Sequence, residues 1–162
     1  MQQATLCFLI RENQGKKELL LAMKKRGFGV GKWNGAGGKF NINKGDKDIF
    51  DTAVRETREE TGVEVKNIKK SAILNFYFPY QKEWNQEVHV FISKNWQGKP
   101  KESEEMKPKW FKINEIPFEK MWSDDKFWLQ RILTGEKLKA DFIFKKGENI
   151  SSYNVRVINK LD

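Results

Sequence analysis

The sequence predicts a layered domain of the α/β or α+β class. Three observations carry this. Apolar or alternating runs of strand length recur along the whole chain. Two well-separated stretches have helical pattern and end signals. The length, 162 residues, fits one domain with a core and a cleft.

In chain order, residues 5–10 and 18–24 read as strands joined by the polar turn Arg11-Glu12-Asn13-Gln14-Gly15. A glycine-dense loop follows, from Gly27 through Gly29, Gly31, Gly35 and Gly37 to Gly38. Beyond it, Asp46 or Asp48 can cap a helix that runs to about Thr61, with Gly62 placed to stop it. Residues 73–78 and 88–93 read as strands around a turn carrying Pro79 and Asn85. Residues 110–113 form a short strand, 125–134 a second helix, and 142–144 and 153–157 closing strands. No repeat, low-complexity tract or linker divides the chain, so residues 1–162 read as a single domain.

Hydrophobic residues make up 38% of the chain, a low share, but 13% aromatic residues, six of them Trp, supply bulky core material. The net charge of +9 bears on partners: nucleic acid, an anionic membrane face or a polyphosphate nucleotide would each be attracted. One cysteine, Cys7, excludes an internal disulfide framework and suits a reducing compartment. The apolar run at residues 6–10 is too short for a signal core or a membrane span. The expected compartment is the cytoplasm, with a nuclear or mitochondrial pool open as well, and no membrane partner is expected. The sequon at Asn149 is then a coincidence of sequence.

The predicted first helix carries the chemistry. Glu56, Glu59 and Glu60 fall on one stripe, within an arc of roughly 100°, because each residue advances about that angle. Three carboxylates so placed repel one another unless a cation sits among them. Mg²⁺ suits them, since it takes hard oxygen ligands and shares itself with phosphates. The alternative is a solvated face paired internally by Arg55 and Arg58. The glycine loop directly before the helix favours the metal, because it permits close backbone approach to an anion and can lend a carbonyl.

Gly37-Gly38-Lys39 followed by Arg55-Glu56-Thr57-Arg58-Glu59-Glu60-Thr61-Gly62-Val63 resembles the Nudix box, G-x5-E-x7-R-E-U-x-E-E-x-G-U. Other stretches resemble the animal branch of that family acting on oxidised purine nucleoside triphosphates such as 8-oxo-dGTP and 2-hydroxy-dATP. They include residues 23–29, 32–35, 88–91, 102–106 and Trp122-Ser123-Asp124-Asp125. The resemblance implies an α/β/α sandwich around a mixed sheet and hydrolysis to a monophosphate plus pyrophosphate, which clears damaged nucleotides from the pool. It implies Mg²⁺, or Mn²⁺, held by Glu56, Glu59 and Glu60, with the Gly37 carbonyl and Glu105 completing the site. Glu56 is also its candidate general base. The implied substrate contacts are Asn34, Trp122, Asp124 and Asp125 for the base, Phe28 and Phe76 as walls, and Thr5 and Lys24 near the floor. Gly37, Gly38, Lys39, Gln86 and Trp128 complete that set. The implied partner is a small nucleotide bound by a monomer, with no stable nucleic acid complex.

The chain departs from the pattern in several places. Counting back eight residues from Arg55, the first Glu of the box is Lys47, and the loop is three residues longer than the pattern. Asp51 is placed to supply an i,i+4 partner for Arg55, and Asp46 or Asp48 could fold back to do more. Thr57 replaces an aliphatic residue, while Ala36 and Gln86 stand where the animal branch has Phe and Met. Two other functions stay open: a Nudix hydrolase of capped RNA or a dinucleoside polyphosphate, and a silent nucleotide- or RNA-binding module. Taken alone, Ser-Asp-Asp is an ordinary helix cap. His89 reads as structural, and Lys107, Lys109 and Lys112 as a solvated strand edge.

Overall fold

A computed structural model describes residues 1–161. Its strands are β1 (Gln2–Asn13), β2 (Lys16–Lys24), β3 (Trp33–Asn34), β4 (Glu64–Lys66), β5 (Lys69–Tyr77), β6 (Gln86–Ser93), β7 (Asn95–Gln97), β8 (Met106–Lys112), β9 (Leu138–Lys145) and β10 (Asn149–Val157). The helices are α1 (Ile49–Thr61) and α2 (Leu129–Leu133). A mixed sheet runs β10-β9-β5-β6-β1-β2-β3, with β8 also on β2, and β4 and β7 form a separate ribbon. The β1/β6 and β5/β9 pairs are parallel and the rest antiparallel. The expected α+β class with a mixed sheet is what forms.

Strand β1 is the axis of the molecule. Ala4, Phe8 and Ile10 belong to the core shared with α2, whereas Cys7 and Leu9 belong to the core beneath α1. A strand covered on both faces reads as the near-continuous apolar run seen in the sequence. Residues 2–9 of β1 pair with β6, and residues 10–13 pair with β2. This change of partner leaves the other edge of the first half free. The glycine loop fills it: Thr5 N–H donates to Gly38 O at 2.9 Å, and Cys7 N–H to Ala36 O at 2.6 Å.

The first hairpin is tighter than the sequence suggested. Only Gln14 and Gly15 turn the chain, both at positive φ (53° and 77°), the two-residue loop that matches strand twist. Cross-strand charge pairs Arg11/Glu18 and Glu12/Lys17 recruit the expected turn residues into the ladder.

Helix α1 has the ends the sequence proposed. Asp48 accepts from Asp51 N–H at 3.0 Å, and Gly62, at φ 78°, donates to Arg58 O at 2.8 Å. Thr57 is buried where an aliphatic residue was expected, and its hydroxyl donates to Ala53 O at 2.7 Å. The second helix is shorter than the predicted 125–134. A 3₁₀ turn at Asp125–Phe127 precedes α2, and Trp128 at φ −135° breaks the run. That backbone seats the Trp128 indole wholly inside the core.

Candidate active site

The centre of the site is a buried guanidinium. Arg55 Nε and Nη2 donate to the two oxygens of Asp46, each at 2.8 Å. Nη1 donates to Glu56 Oε1 at 2.8 Å and Glu59 Oε2 at 3.2 Å, and Nη2 also reaches Lys39 O at 3.2 Å. Asp46 accepts further bonds from Asn41 N–H (3.0 Å) and Thr52 Oγ1 (2.9 Å). Arg55 above all, against the opposing effect of burial, holds the Asp46 carboxyl far below the usual carboxylate range. One arginine therefore ties the loop of residues 39–46 to α1 and aligns two of the three helix glutamates.

This arrangement corrects the reading of Lys47 and Asp51. Lys47 is exposed, and its backbone N–H donates to Asp51 Oδ2 at 2.9 Å. Asp51 thus completes the helix N-terminus with Asp48 instead of pairing with Arg55. The longer loop brings Asp46, not residue 47, to the place of the first box acid.

The glycines matter here for closeness. A Cβ on Gly37 would stand 1.8 Å from Thr5 O, and one on Gly38 would stand 2.4 Å from Glu56 Cδ. The bare backbone lets the loop press between β1 and the Glu56 carboxylate. Burial raises Glu56 above the usual range, with Arg55 opposing. Glu60 is pushed up to about 8, first by burial and then by the charge of Glu56, while the Gly37 N–H and Lys24 oppose the shift. Its Oε2 is buried without a partner.

Glu59 is more open, its side chain 43% exposed. Glu105 lies outside, paired with Arg26 at 3.0 Å and reaching Glu60 through its charge. Among the described residues, no group of three or more acidic, His or Cys side chains is already gathered as a cage that could hold a metal. The donor set nonetheless fits a hard divalent cation: Glu60 has an orphaned carboxylate oxygen, and its carboxyl lies within charge range of Glu56 and against the Gly37 backbone.

On the other side of the loop stand the residues expected to read a base. Asp124 and Asp125 are both buried, at 5% and 2% exposure. Trp128 Nε1 donates to Asp124 Oδ2 at 2.8 Å, whereas Asp125 Oδ2 has no partner. Burial raises both carboxyls, and for Asp125 the neighbouring Asp124 charge adds to it while Lys32 opposes. Like charges so close oppose ionisation of both carboxyls at once.

Trp122 stacks on Phe28 at 5.4 Å, and the Lys32 ammonium lies 4.9 Å from the Trp122 ring. Asn34 accepts from Gly35 N–H through Oδ1 at 2.8 Å. Gln86 faces Phe76 across the β5–β6 register, and Phe76 is buried against Phe142 and Phe144. Thr5 is buried under the loop, its Oγ1 3.5 Å from Gly38 O. Lys24 is half-buried at the end of β2, and the Lys39 side chain is exposed. Trp128, wholly enclosed, reaches this region only through Asp124.

Sequence reasoning did not single out Lys32 or Trp84, which touch Trp122 and Phe28 respectively. Lys32 lies in the matching stretch 32–35 but was given no role, and Trp84 lies in no motif. The aromatic density of residues 76–84 was the available signal for Trp84.

An acidic helix clamped by a buried arginine beneath a glycine loop, on a mixed sheet, defines a class of phosphate-anhydride hydrolases. The chain belongs to the Nudix family, whose profile, described as NUDIX domain, matches residues 1–132. It is 41% identical over 143 residues to the oxidized purine nucleoside triphosphate hydrolase of Mus musculus, covering 88% of this chain and 89% of that protein. The protein of the same name from Danio rerio is 42% identical over 144 residues, covering 89% and 86%. Among solved structures, a MutT protein from Bacillus halodurans superposes with a TM-score of 0.79 at 26% identity, covering 96% of this chain and 97% of that one. Nudix hydrolases act on small nucleotide substrates and generally use a divalent metal.

Proposed function

We propose that the chain hydrolyses oxidised or otherwise modified purine nucleoside triphosphates, such as 8-oxo-dGTP or 2-hydroxy-dATP, to the monophosphate and pyrophosphate. Its role is then to clear them from the nucleotide pool. The observation that carries this reading is the buried Asp124/Asp125 pair next in the chain to Trp122, whose ring stacks on Phe28. Asp124 accepts from Trp128 in the core on the Phe8 face of β1, whereas α1 packs on the Cys7 face. A pair that retains one proton presents a donor and an acceptor together, which suits the altered edge of an oxidised purine. The names of the mouse and zebrafish relatives agree with it.

Glu56, Glu59 and Glu60, with the Gly37 carbonyl and Glu105, would hold Mg²⁺ or Mn²⁺. Such an ion, when bound, supplies Lewis acidity that neutralises polyphosphate charge. Glu56 takes a proton from the attacking water, whose oxygen bonds to one phosphorus of the α–β anhydride as that phosphorus loses the bridging oxygen, giving the monophosphate and pyrophosphate. Arg55 holds the Glu56 carboxylate in place for that transfer through its 2.8 Å bond. Lys24 and Lys39 offset the charge of the triphosphate. The functional unit is a monomer.

A panel of modified purine triphosphates, set against capped RNA and dinucleoside polyphosphates and read by chromatographic separation of the nucleotide products, tests the reading. Selective turnover of the purine triphosphates supports it, and turnover of capped RNA alone overturns it. Glu56→Gln should cut turnover by at least about a hundredfold, the lower range for a general base, while nucleotide binding persists. Equal turnover in wild type and variant would remove Glu56 from that role.

A further inference from the structure

We propose that Trp84 is a positioning residue for purine recognition, holding Phe28 over Trp122 so that three rings roof the base site. The proposal rests on the substrate class given above and adds a residue outside the box and outside the Trp122–Asp125 segment. Trp84 ends the 3₁₀ turn Lys82–Trp84 between β5 and β6, next to Gln86 at the start of β6.

The argument begins with Phe28. It is 72% exposed and sits between Gly27 and Gly29, both at positive φ (84° and 83°). Backbone bonds from Val30 N–H to Gly27 O (3.2 Å) and Lys32 N–H to Gly29 O (3.0 Å) close the loop, but the ring itself projects into solvent. Two other rings hold it: Trp122 at 5.4 Å and Trp84 at 6.4 Å. Trp84 is itself anchored, by Phe78 at 5.8 Å and Tyr80 at 6.1 Å, both edge-on. Phe78 in turn stacks on Phe144 at 4.9 Å and 10°, and Phe144 is buried in the core. A chain of rings thus runs from the core to the roof, Phe144–Phe78–Trp84–Phe28–Trp122.

The exposed links are the informative ones. Phe28 at 72% and Trp84 at 48% exposure leave large apolar faces in water at one rim, and such patches mark a place where a ligand is received. A planar base beneath the roof is the occupant that matches rings held by rings. A two-ring purine offers more stacking face than a pyrimidine, so loosening the roof weakens purines more.

The test compares wild type, Trp84→Ala and Trp84→Phe. With a modified purine triphosphate, Trp84→Ala should raise KM about threefold to tenfold, the range one aromatic pair supplies, with kcat unchanged. Trp84→Phe should restore KM. Trp84→Ala also loses the ring contacts with Phe78 and Tyr80 and should melt a few degrees lower, so all three proteins are assayed well below their Tm. Titration with purine and pyrimidine mononucleotides, followed by calorimetry, should show the purine preference narrowing in Trp84→Ala and returning in Trp84→Phe. An unchanged KM and preference in Trp84→Ala would overturn the proposal, as would an equal loss for both base classes. If wild type cuts no purine triphosphate, the substrate reading fails by itself, and the mononucleotide titration still decides Trp84.

Discussion

Replacing Asp46 with Asn probes the clamp that organises the site. Asp46 gives Arg55 two bonds of 2.8 Å at a position where their side chains are 2% and 7% exposed. Removing one partner of a buried ion pair costs about 3–5 kcal/mol, because the other charge is left in a poor solvent. Here Arg55 keeps Glu56, Glu59 and Lys39 O, so the loss falls at the lower end, about 3 kcal/mol. For a chain of this length each kcal/mol moves Tm by about 2–4 °C, which gives a drop of roughly 6–12 °C for Asp46→Asn. Lys47→Glu is the control. It places an acid where simple counting puts the box's first Glu, but on an exposed side chain, and should change stability by less than about 0.5 kcal/mol.

Both variants are measured by thermal and urea unfolding at neutral pH. If Asp46→Asn melts with the wild type, or if Lys47→Glu stabilises the protein, the assignment of Asp46 is wrong. The pH dependence gives a second reading. The folded Asp46 carboxyl lies below its ordinary value of 3.8, so the unfolded chain takes up the proton first. Its contribution is present in full at neutral pH and is lost as pH falls below about 4 toward the folded value. The gap between wild type and Asp46→Asn should close over that window.

Two more perturbations address Glu60, proposed above to hold the metal, and the glycine loop. Gly38→Ala puts a methyl 2.4 Å from Glu56 Cδ, which must displace the carboxylate or the loop; kcat/KM should fall at least about a hundredfold with the far-ultraviolet circular dichroism retained, and a smaller loss would mean that the contact is soft. Glu60→Gln removes a carboxyl raised to about 8, so the variant should lack the wild-type loss of stability as pH rises from about 4.5 to about 8 without metal, and should lose the stabilisation that Mg²⁺ confers. Melting curves in chelator and in Mg²⁺ across that range decide it, and an undiminished Mg²⁺ effect in Glu60→Gln would remove Glu60 from the metal set.

What the sequence revealed, and what it hid, follows from the range of each interaction. The caps of α1 were legible because Asp48 and Gly62 act within one turn of the helix. The buried faces of β1 were legible because period and apolarity are local. β3, β4 and β7 were not, since strands of two or three residues have no period to read. The break at Trp128 was hidden because it arises where a ring enters the core, which a local helical pattern cannot register. Lys47 misled because counting along the chain assumes a fixed path, whereas Asp46 reaches Arg55 through a loop that the Asn41–Gly45 turn lengthens. The Glu56, Glu59 and Glu60 stripe was readable from helical spacing, and a fold-back of Asp46 or Asp48 onto Arg55 was anticipated, but only the folded loop, nine residues from Asp46 to Arg55, selects Asp46.

Hydrogen-bond satisfaction separates the acids of this protein by role. Asp46 is fully partnered, by Arg55, Asn41 and Thr52, and its charge is held by donors already in place. Such an acid has nothing left to offer a ligand. Glu60 and Asp125 are the opposite case: each has a buried oxygen without a partner, and each is raised by burial and a neighbouring carboxylate. Leaving a buried acceptor unpaired is costly, and the cost persists where an arriving group will satisfy it. In the function proposed above, that group is a cation at Glu60, beside Glu56 and the glycine loop, and a base edge at Asp125, close to Trp122 in the chain. The other two orphaned atoms, on Asn75 and His89, lie within strands β5 and β6, and His89 is engaged through its other nitrogen by Glu87 at 2.7 Å. The proposed function thus assigns the two ends of a nucleotide to two carboxyls that each keep an unsatisfied oxygen, and Asp46 belongs to the frame that holds the helix carrying one of them.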